Sequence, residues 1–222
     1  MTTIYYTFCE RLPETQFNNA VALLPITMQE RLSNYRRWQD AHTYLYGRLL
    51  LKHGMLQLGY DDSLELMEKT KYGKPYFPFD SFSFNISHSE DYVVCVISTD
   101  EKKQIGIDIE KIKPIILEHF NSVLSAQEKI DIKTYDQFYK IWTRKEAVIK
   151  ADGRGMQIPL NRVDASNLII NLEDEIYYLS KVEINKSYEV HIASLTKIEK
   201  TNSVNCSLVP SEIKHSEAVL GE

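Results

Sequence analysis

Cysteine is scarce in this chain, and Cys9, Cys95 and Cys206 lie far apart with no CxxC pair among them. That excludes a disulfide-built scaffold and a thiolate metal site, and it points to a reducing compartment. Long apolar runs are missing too. No stretch approaches the roughly 18 apolar residues that a membrane-spanning helix needs. The start, Met1-Thr2-Thr3-Ile4-Tyr5-Tyr6, lacks the basic segment and apolar run of a secretory signal. Positive charge is not in excess either. A formal net charge of −5 argues against a protein that grips nucleic-acid phosphates across its surface, though it leaves room for a local basic pocket. The expectation is a soluble, cytoplasmic protein that engages neither membrane nor nucleic acid.

What is present suffices for a buried core. Hydrophobic residues make up 43% of the 222 and charged ones 26%, which fits one large compact domain or two small ones. Ile4 to Phe8 reads as a strand. Thr27-Met28-Gln29-Glu30 and Ser125-Ala126-Gln127-Glu128 fit capping boxes, each opening a helix. Helical spacing runs through Leu32, Tyr35 and Trp38 and resumes through Leu45, Leu49 and Leu56 before Gly59. Gly73-Lys74-Pro75 reads as a loop. Phe82 to Ile86 and Tyr92 to Ser98 read as a strand pair around a polar turn, Ser87 to Asp91. A further strand spans Ile105 to Glu110, and a long helix runs from about Asp136 to Ala151, closed by Gly153. Leu168 to Leu172, Ile176 to Val182 and Tyr188 to Leu195 look like strands, and the tail from about Lys200 is polar and weakly patterned. Helices and strands mix without a regular βαβ alternation, so the fold class is α+β. The charged link Asp100-Glu101-Lys102-Lys103-Gln104 divides the chain into lobes 1–103 and 104–222.

Ile105-Gly106-Ile107-Asp108-Ile109-Glu110 carries the first chemical signal. Strand alternation buries the three isoleucines together and projects Asp108 and Glu110 from the other side, where Gly106 leaves room for a close ligand. Two carboxylates this near repel unless a cation or donors intervene, and hard oxygen ligands suit magnesium. A solvated strand face is the plain alternative. On the long helix, Phe138, Ile141, Trp142 and Ile149 form an apolar stripe into which Lys145 and Glu146 fall. Charges on an inward face need a partner or an ion, so the pair is either an internal salt bridge or part of the same site. Lys150, one turn beyond Glu146, either meets an anionic substrate or forms an i,i+4 pair with it. Asn85-Ile86-Ser87-His88-Ser89 with Lys74 makes a reasonable phosphate cradle, unless His88 is merely structural. Arg31, Arg36, Arg37, Arg48 and Lys52 form either a solvated face or a cationic one, and Arg48 and Lys52 point the same way.

Together these segments resemble the paired signature of the 4′-phosphopantetheinyl transferases. Ile105-Gly106-Ile107-Asp108-Ile109-Glu110-Lys111 is followed, after a gap of about 30 residues, by Trp142-Thr143-Arg144-Lys145-Glu146-Ala147. Phe84-Asn85-Ile86-Ser87-His88-Ser89, Tyr72-Gly73-Lys74-Pro75 and Asp40-Ala41-His42 with Gly47 resemble motifs of the two-lobed, Sfp-type branch. The likeness covers roughly residues 4 to 195.

The resemblance implies a monomer of two similar α+β lobes related by pseudo-twofold symmetry, with coenzyme A in the cleft between them. It assigns Asp108, Glu110 and Glu146 to magnesium (manganese being the alternative ion), and Lys145 and Lys150 to the pyrophosphate. Lys74, Ser87 and His88 fall to the nucleotide end, with Arg31 near a cationic phosphate contact, and Arg48 is a further candidate for coenzyme A binding from its own helix position. Asn34 stands where a second lysine is common, and Glu90 where a glycine is. The implied reaction moves phosphopantetheine to a serine of an apo acyl-, peptidyl- or aryl-carrier protein of fatty-acid, polyketide or peptide assembly. Asp108, Glu146 and Lys150 would be the catalytic residues, and Glu146 would act as base directly or through a water. Ile112 to Leu124 is expected to be either a carrier-docking segment or an amphipathic core helix. Rival readings are a metal-dependent coenzyme A pyrophosphatase or phosphodiesterase, and a non-catalytic carrier-binding module.

Overall fold

A computed structural model of the chain describes residues 1–78, 81–99 and 104–206. Most of the charged link, residues 100–103, and the tail beyond 206 lie outside the described residues. The first lobe opens with β1 (Thr2–Phe8), α1 (Glu14–Val21), α2 (Ile26–Ser33) and α3 (Trp38–Gln57). It continues with the two-residue strands β2 (Glu68–Lys69) and β3 (Pro75–Tyr76), then β4 (Ser83–Ser89) and β5 (Tyr92–Ser98). The second lobe runs through β6 (Ile105–Lys111), α4 (Ala126–Asp131), α5 (Tyr135–Asp152), β7 (Ile169–Leu172), β8 (Glu175–Lys181) and β9 (Tyr188–Ser194). A last strand, β10 (Thr201–Asn205), follows.

The two lobes repeat one scheme. In each, the first strand pairs antiparallel with the last of its own lobe, which pairs antiparallel with the strand before it: β1-β5-β4 and β6-β9-β8. In each, one long helix, α3 or α5, covers a face of the sheet. The α+β architecture of two similar lobes is therefore present. The boundary expected at residue 104 needs one correction, because β10 returns to pair in parallel with β1 and extends the first lobe's sheet. The polar tail looked featureless because four of the five residues of β10 are exposed, and an edge strand needs no apolar alternation.

Burial follows the alternation of the strands. Tyr5, Cys95 and Ile97 turn toward α3 in the first lobe's core, and α5 packs over a second core with Tyr177, Leu179 and Ala193. A third cluster lies between the sheets: Ile4, Val94 and Val96 of the first lobe meet Ile105, Ile107, Ile109, Val190 and Ile192 of the second. The isoleucines of β6 are thus the cement between the lobes.

Local signals account for most helix ends. Ser125 and Glu128 form the expected reciprocal capping box at α4. Thr134 and Gln137 form another at α5, which ends on Gly153 at φ +90°, a left-handed cap that suits glycine. The box expected at Thr27 is absent. Pro25 occupies the cap position of α2 without a side-chain bond, and Thr27 lies inside the first turn. The turn expected from Ser87 is also shorter: Ser87, His88 and Ser89 continue β4, and the chain reverses at Glu90 with φ +49°. The loop expected at Gly73-Lys74-Pro75 begins earlier: the tight turn between β2 and β3 is closed by Gly73 N on the carbonyl of Thr70, and Pro75 already opens β3. Within Ile112 to Leu124 only a 3-10 turn, Leu117–Phe120, is regular.

Candidate active site

The site is built on the seam where β4 of the first lobe meets β6 of the second. No backbone ladder joins these two strands; side chains of β4 take its place. Asn85 Oδ1 accepts from Ile107 N at 3.0 Å, and Ser89 Oγ accepts from Lys111 N at 3.1 Å. Between them Ser87 donates to Asp108 Oδ1 at 3.0 Å, and Ser89 donates to Glu110 Oε2 at 2.9 Å. A spacing of two puts Asn85, Ser87 and Ser89 on one face of β4. The polar alternation of that strand therefore aims three short side chains at the second lobe.

Asp108 and Glu110 leave β6 toward α5. Gly106 leaves on the same side, but the room it provides is not for a ligand. A Cβ there would stand 2.1 Å from the carbonyl oxygen of Ala147 and 2.4 Å from the nitrogen of Ala151. Glycine lets α5 press directly onto β6, which brings Glu146 and Lys150 to the two carboxylates. Lys150 Nζ lies 2.6 Å from Asp108 Oδ1 and 2.8 Å from Ser87 Oγ. It pairs with Asp108 rather than with Glu146, as i,i+4 spacing on the helix alone would allow.

The three acids feel one another. Asp108 is 3% exposed, and burial raises its pKa while Lys150 and Ser87 oppose the rise. Burial also raises Glu110 and Glu146, and in each the charge of Asp108 adds to the effect. Lys150 lowers all three, so its ammonium is the cation that meets this cluster of carboxylates. Asp108 Oδ1 serves both Lys150 and Ser87, which leaves Oδ2 buried without a hydrogen-bond partner. Among the described residues, no three His, Cys, Asp or Glu side chains are arranged to hold a metal ion as they stand. The donor chemistry nonetheless fits a hard cation: three carboxylates, one of them with a free buried oxygen, and an ion such as magnesium keeps several waters and needs few protein ligands.

Strand alternation separates residues that sequence proximity groups. Ser87 faces the carboxylates, whereas His88 faces the opposite way, into a cavity of about 390 Å³ walled by Arg31, Tyr44, Gly47, Arg48 and Pro75. Burial and the Lys150 charge lower the pKa of His88. The Arg31 and Arg48 guanidinium carbons stand 4.9 and 4.7 Å from the Tyr44 ring centroid, and Arg48 Nε is buried without a hydrogen-bond partner. Two cations thus flank one ring, one of them with a spare donor, an arrangement chemically suited to an anion. Lys52, expected to point with Arg48, instead closes an ion pair of 2.9 Å with Asp62.

Two lysines are placed otherwise than expected. Lys145 is not beside the carboxylate trio. Its side chain is wholly buried on another face of α5, 2.6 Å from Glu128 Oε2, with the carbonyls of Leu160 and Val163 at 3.0 and 2.5 Å. The internal lysine–glutamate pair exists, but its acid comes from α4, and adjacent helix positions such as 145 and 146 diverge. Glu128 is satisfied as well, accepting from Ser125 N and Ala165 N. Lys74 spends its ammonium on the carbonyls of Ala151 and Ile105, at 2.6 and 3.2 Å. It is a strut from the first lobe to the C-terminal end of α5, and burial lowers its pKa to about 8.

Comparison with known proteins agrees with this architecture lobe by lobe. Residues 104–206 match the model of the 4′-phosphopantetheinyl transferase superfamily, and residues 12–100 match that of the 4′-phosphopantetheinyl transferase N-terminal domain. The chain belongs to the 4′-phosphopantetheinyl transferase superfamily. It is similar to 4′-phosphopantetheinyl transferase gsp of Aneurinibacillus migulanus, at 39% identity over 60% of this chain and 57% of the relative. It is similar to 4′-phosphopantetheinyl transferase Sfp of Bacillus subtilis (strain 168), at 28% identity over 86% of this chain and 91% of the relative. An L-aminoadipate-semialdehyde dehydrogenase-phosphopantetheinyl transferase of Xenopus laevis is 26% identical over 84% of this chain and 68% of the relative. The protein is accordingly a transferase of the phosphopantetheinyl class that acts on carrier proteins. The hydrolase and non-catalytic readings find no support in these relatives.

Proposed function

We propose that the seam between β4, β6 and α5 is the transfer site, where the phosphopantetheine arm of coenzyme A passes to a serine of an apo carrier and adenosine 3′,5′-bisphosphate departs. The observation that carries this reading is the orphaned Asp108 Oδ2 beside two further carboxylates, Glu110 and Glu146, with a cationic cavity lined by His88, the neighbour of the Ser87 that bonds Asp108. The cavity would take the nucleotide, with Arg31, Arg48 and His88 around its phosphate. Asp108, Glu110 and Glu146 would hold magnesium, or manganese, which when bound supplies neutralisation of the pyrophosphate charge. Lys150, freed from Asp108, is in reach of the same charge and would balance the leaving phosphate. Burial and Asp108 raise the pKa of Glu146 in the metal-free site, and a cation held there would offset that rise, so the water-relayed route carries equal weight. Glu146 would take the serine proton directly or through a water.

Both lobes contribute to the site from one chain, so the working unit is proposed to be a monomer. Cys9, Cys95 and Cys206 are free and buried, and no helix among the described residues is long and apolar enough to cross a membrane; the proposed compartment is the cytoplasm. Ile115, Leu117, Phe120 and Val123 are half-buried against the second core while Ile116 is 59% exposed, which leaves this segment as the proposed carrier contact. The test is to incubate the protein with magnesium, coenzyme A and several apo-carriers and to weigh the carriers by mass spectrometry. Addition of one phosphopantetheine to a carrier supports the reading. Consumption of coenzyme A with no carrier modified defeats it.

A further inference from the structure

The helix that carries Glu146 and Lys150 is fastened to the sheet by a buried polar cluster with no part in the chemistry above. His191 of β9 stands directly opposite Asp108 of β6, so both side chains leave the sheet on the face that α5 covers. The imidazole is fully buried. Its Nδ1 lies 2.9 Å from Thr143 Oγ1, and its Nε2 accepts from Arg144 Nε at 3.4 Å. Thr143 Oγ1 donates its own proton to the carbonyl of Tyr139 at 2.9 Å. Nε2 faces the Arg144 guanidinium donor at 3.4 Å, with a Glu189 carboxylate oxygen farther off at 3.7 Å, and the tautomer that accepts from Arg144 carries its proton on Nδ1 and donates it to Thr143. Burial, with the Arg144 charge second, lowers the His191 pKa to about 3 and keeps the ring neutral.

Apolar packing would hold helix to sheet without fixing their register, because burial of hydrocarbon has no preferred direction. A directional hydrogen bond does fix it. Thr143 lies at i,i+3 from Glu146 and i,i+7 from Lys150, so the three share one ridge of α5. Wherever Thr143 is pinned, the other two follow. The contact of α5 with Gly106 limits how closely helix and strand approach, and the bond to His191 limits sliding along them. A transfer site tolerates about 0.5 Å of such error.

We propose that the hydrogen bond between His191 and Thr143 is a positioning device for phosphopantetheine transfer, setting the register of α5 so that Glu146 and Lys150 stand over Asp108. The proposal rests on the roles given to Glu146 and Lys150 above. Thr143→Val keeps the side-chain shape and removes the acceptor. It is expected to lower kcat about 10- to 100-fold with the KM for coenzyme A near its wild-type value, and to lower the thermal midpoint because the buried imidazole donor loses its partner. Thr143→Ser keeps the hydroxyl and is expected to restore kcat. His191→Asn, which retains a donor at the Nδ1 position, and His191→Leu, which does not, repeat the comparison from the β9 side and carry the test should Thr143→Val fail to fold. Full kcat in Thr143→Val or, in its place, His191→Leu overturns the proposal, as does an equal loss in the serine and asparagine variants. The two kinds of failure are distinct. A wild type that modifies no carrier refutes the functional reading and this proposal with it; an active wild type whose Thr143→Val variant is equally active refutes the positioning role alone.

Discussion

Ser87 of the first lobe donates a 3.0 Å hydrogen bond to Asp108 of the second, and both bond to the ammonium of Lys150. The catalytic carboxylate proposed here is therefore held by a strand from the other lobe. Its environment depends on how the lobes meet, and the lobe seam is where substitutions should separate chemistry from stability.

Glu146→Gln should trade activity for stability. Folding raises the pKa of Glu146 above its ordinary 4.5, by burial first and then by Asp108. Below 4.5 both folded and unfolded chains are protonated and no penalty arises. As the pH climbs, the unfolded chain ionises first, so stability is lost until the folded group ionises too, and the deficit then persists. With a chelator present, the variant should resist urea better than wild type near neutral pH, and the advantage should vanish at about pH 4. Transfer should fall about 100-fold or more. A variant no more stable than wild type at neutral pH contradicts the electrostatic account.

His88→Ala should act on coenzyme A rather than on chemistry. The ring lines the cationic cavity and faces away from the carboxylates. Steady-state kinetics should show the KM for coenzyme A rising about tenfold, the equivalent of one lost hydrogen bond to a charged group, with kcat changed little. An unchanged KM removes His88 from the binding surface.

Lys74→Met should loosen the lobes. It deletes two bonds to the carbonyls of Ala151 and Ile105, at an expected cost of about 1–3 kcal/mol. The folded pKa of about 8 lies below the ordinary 10.5, so the unfolded chain binds more protons between those values. Wild-type stability should rise relative to the variant as pH increases through that window. Denaturant titrations of both proteins across it measure the difference directly.

Removing one partner of the buried Lys145–Glu128 pair should be costly without touching the substrate. Lys145→Met leaves the wholly buried Glu128 carboxyl without its cationic partner, and such a loss is expected to cost about 3–5 kcal/mol. The folded fraction should keep its KM for coenzyme A. A raised KM with unchanged stability would return Lys145 to the pyrophosphate site.

How far the site was readable beforehand varies residue by residue. The pairing of Asp108 with Glu110 on one face, and of Glu146 with Lys150 on one ridge, was legible because strand and helix periods are local properties of the backbone. The separation of His88 from Ser87 was hidden by one assumption: a run of Asn, Ser, His and Ser looks like a turn, yet it continues a strand whose polar face is sheltered by the second lobe. The room beside Gly106 was correctly seen as required, but a helix fills it. His191 carried no signal, since a lone histidine in an apolar strand announces nothing until the helix above it is known, and Thr143 stood in the family-like segment without a role of its own.

The linear chain settled which side chains share a face, where most helices begin and end, and that three acids are available at family-matching spacing. Those features depend on neighbours within a turn or two, where chain geometry leaves little freedom. Only the tertiary structure decided what each face meets: Glu128 for Lys145, a helix end for Lys74, β1 for β10 and Ser87 for Asp108. These partners lie from 17 to almost 200 positions apart. Their pairing is set by the packing of whole elements, which no local period encodes.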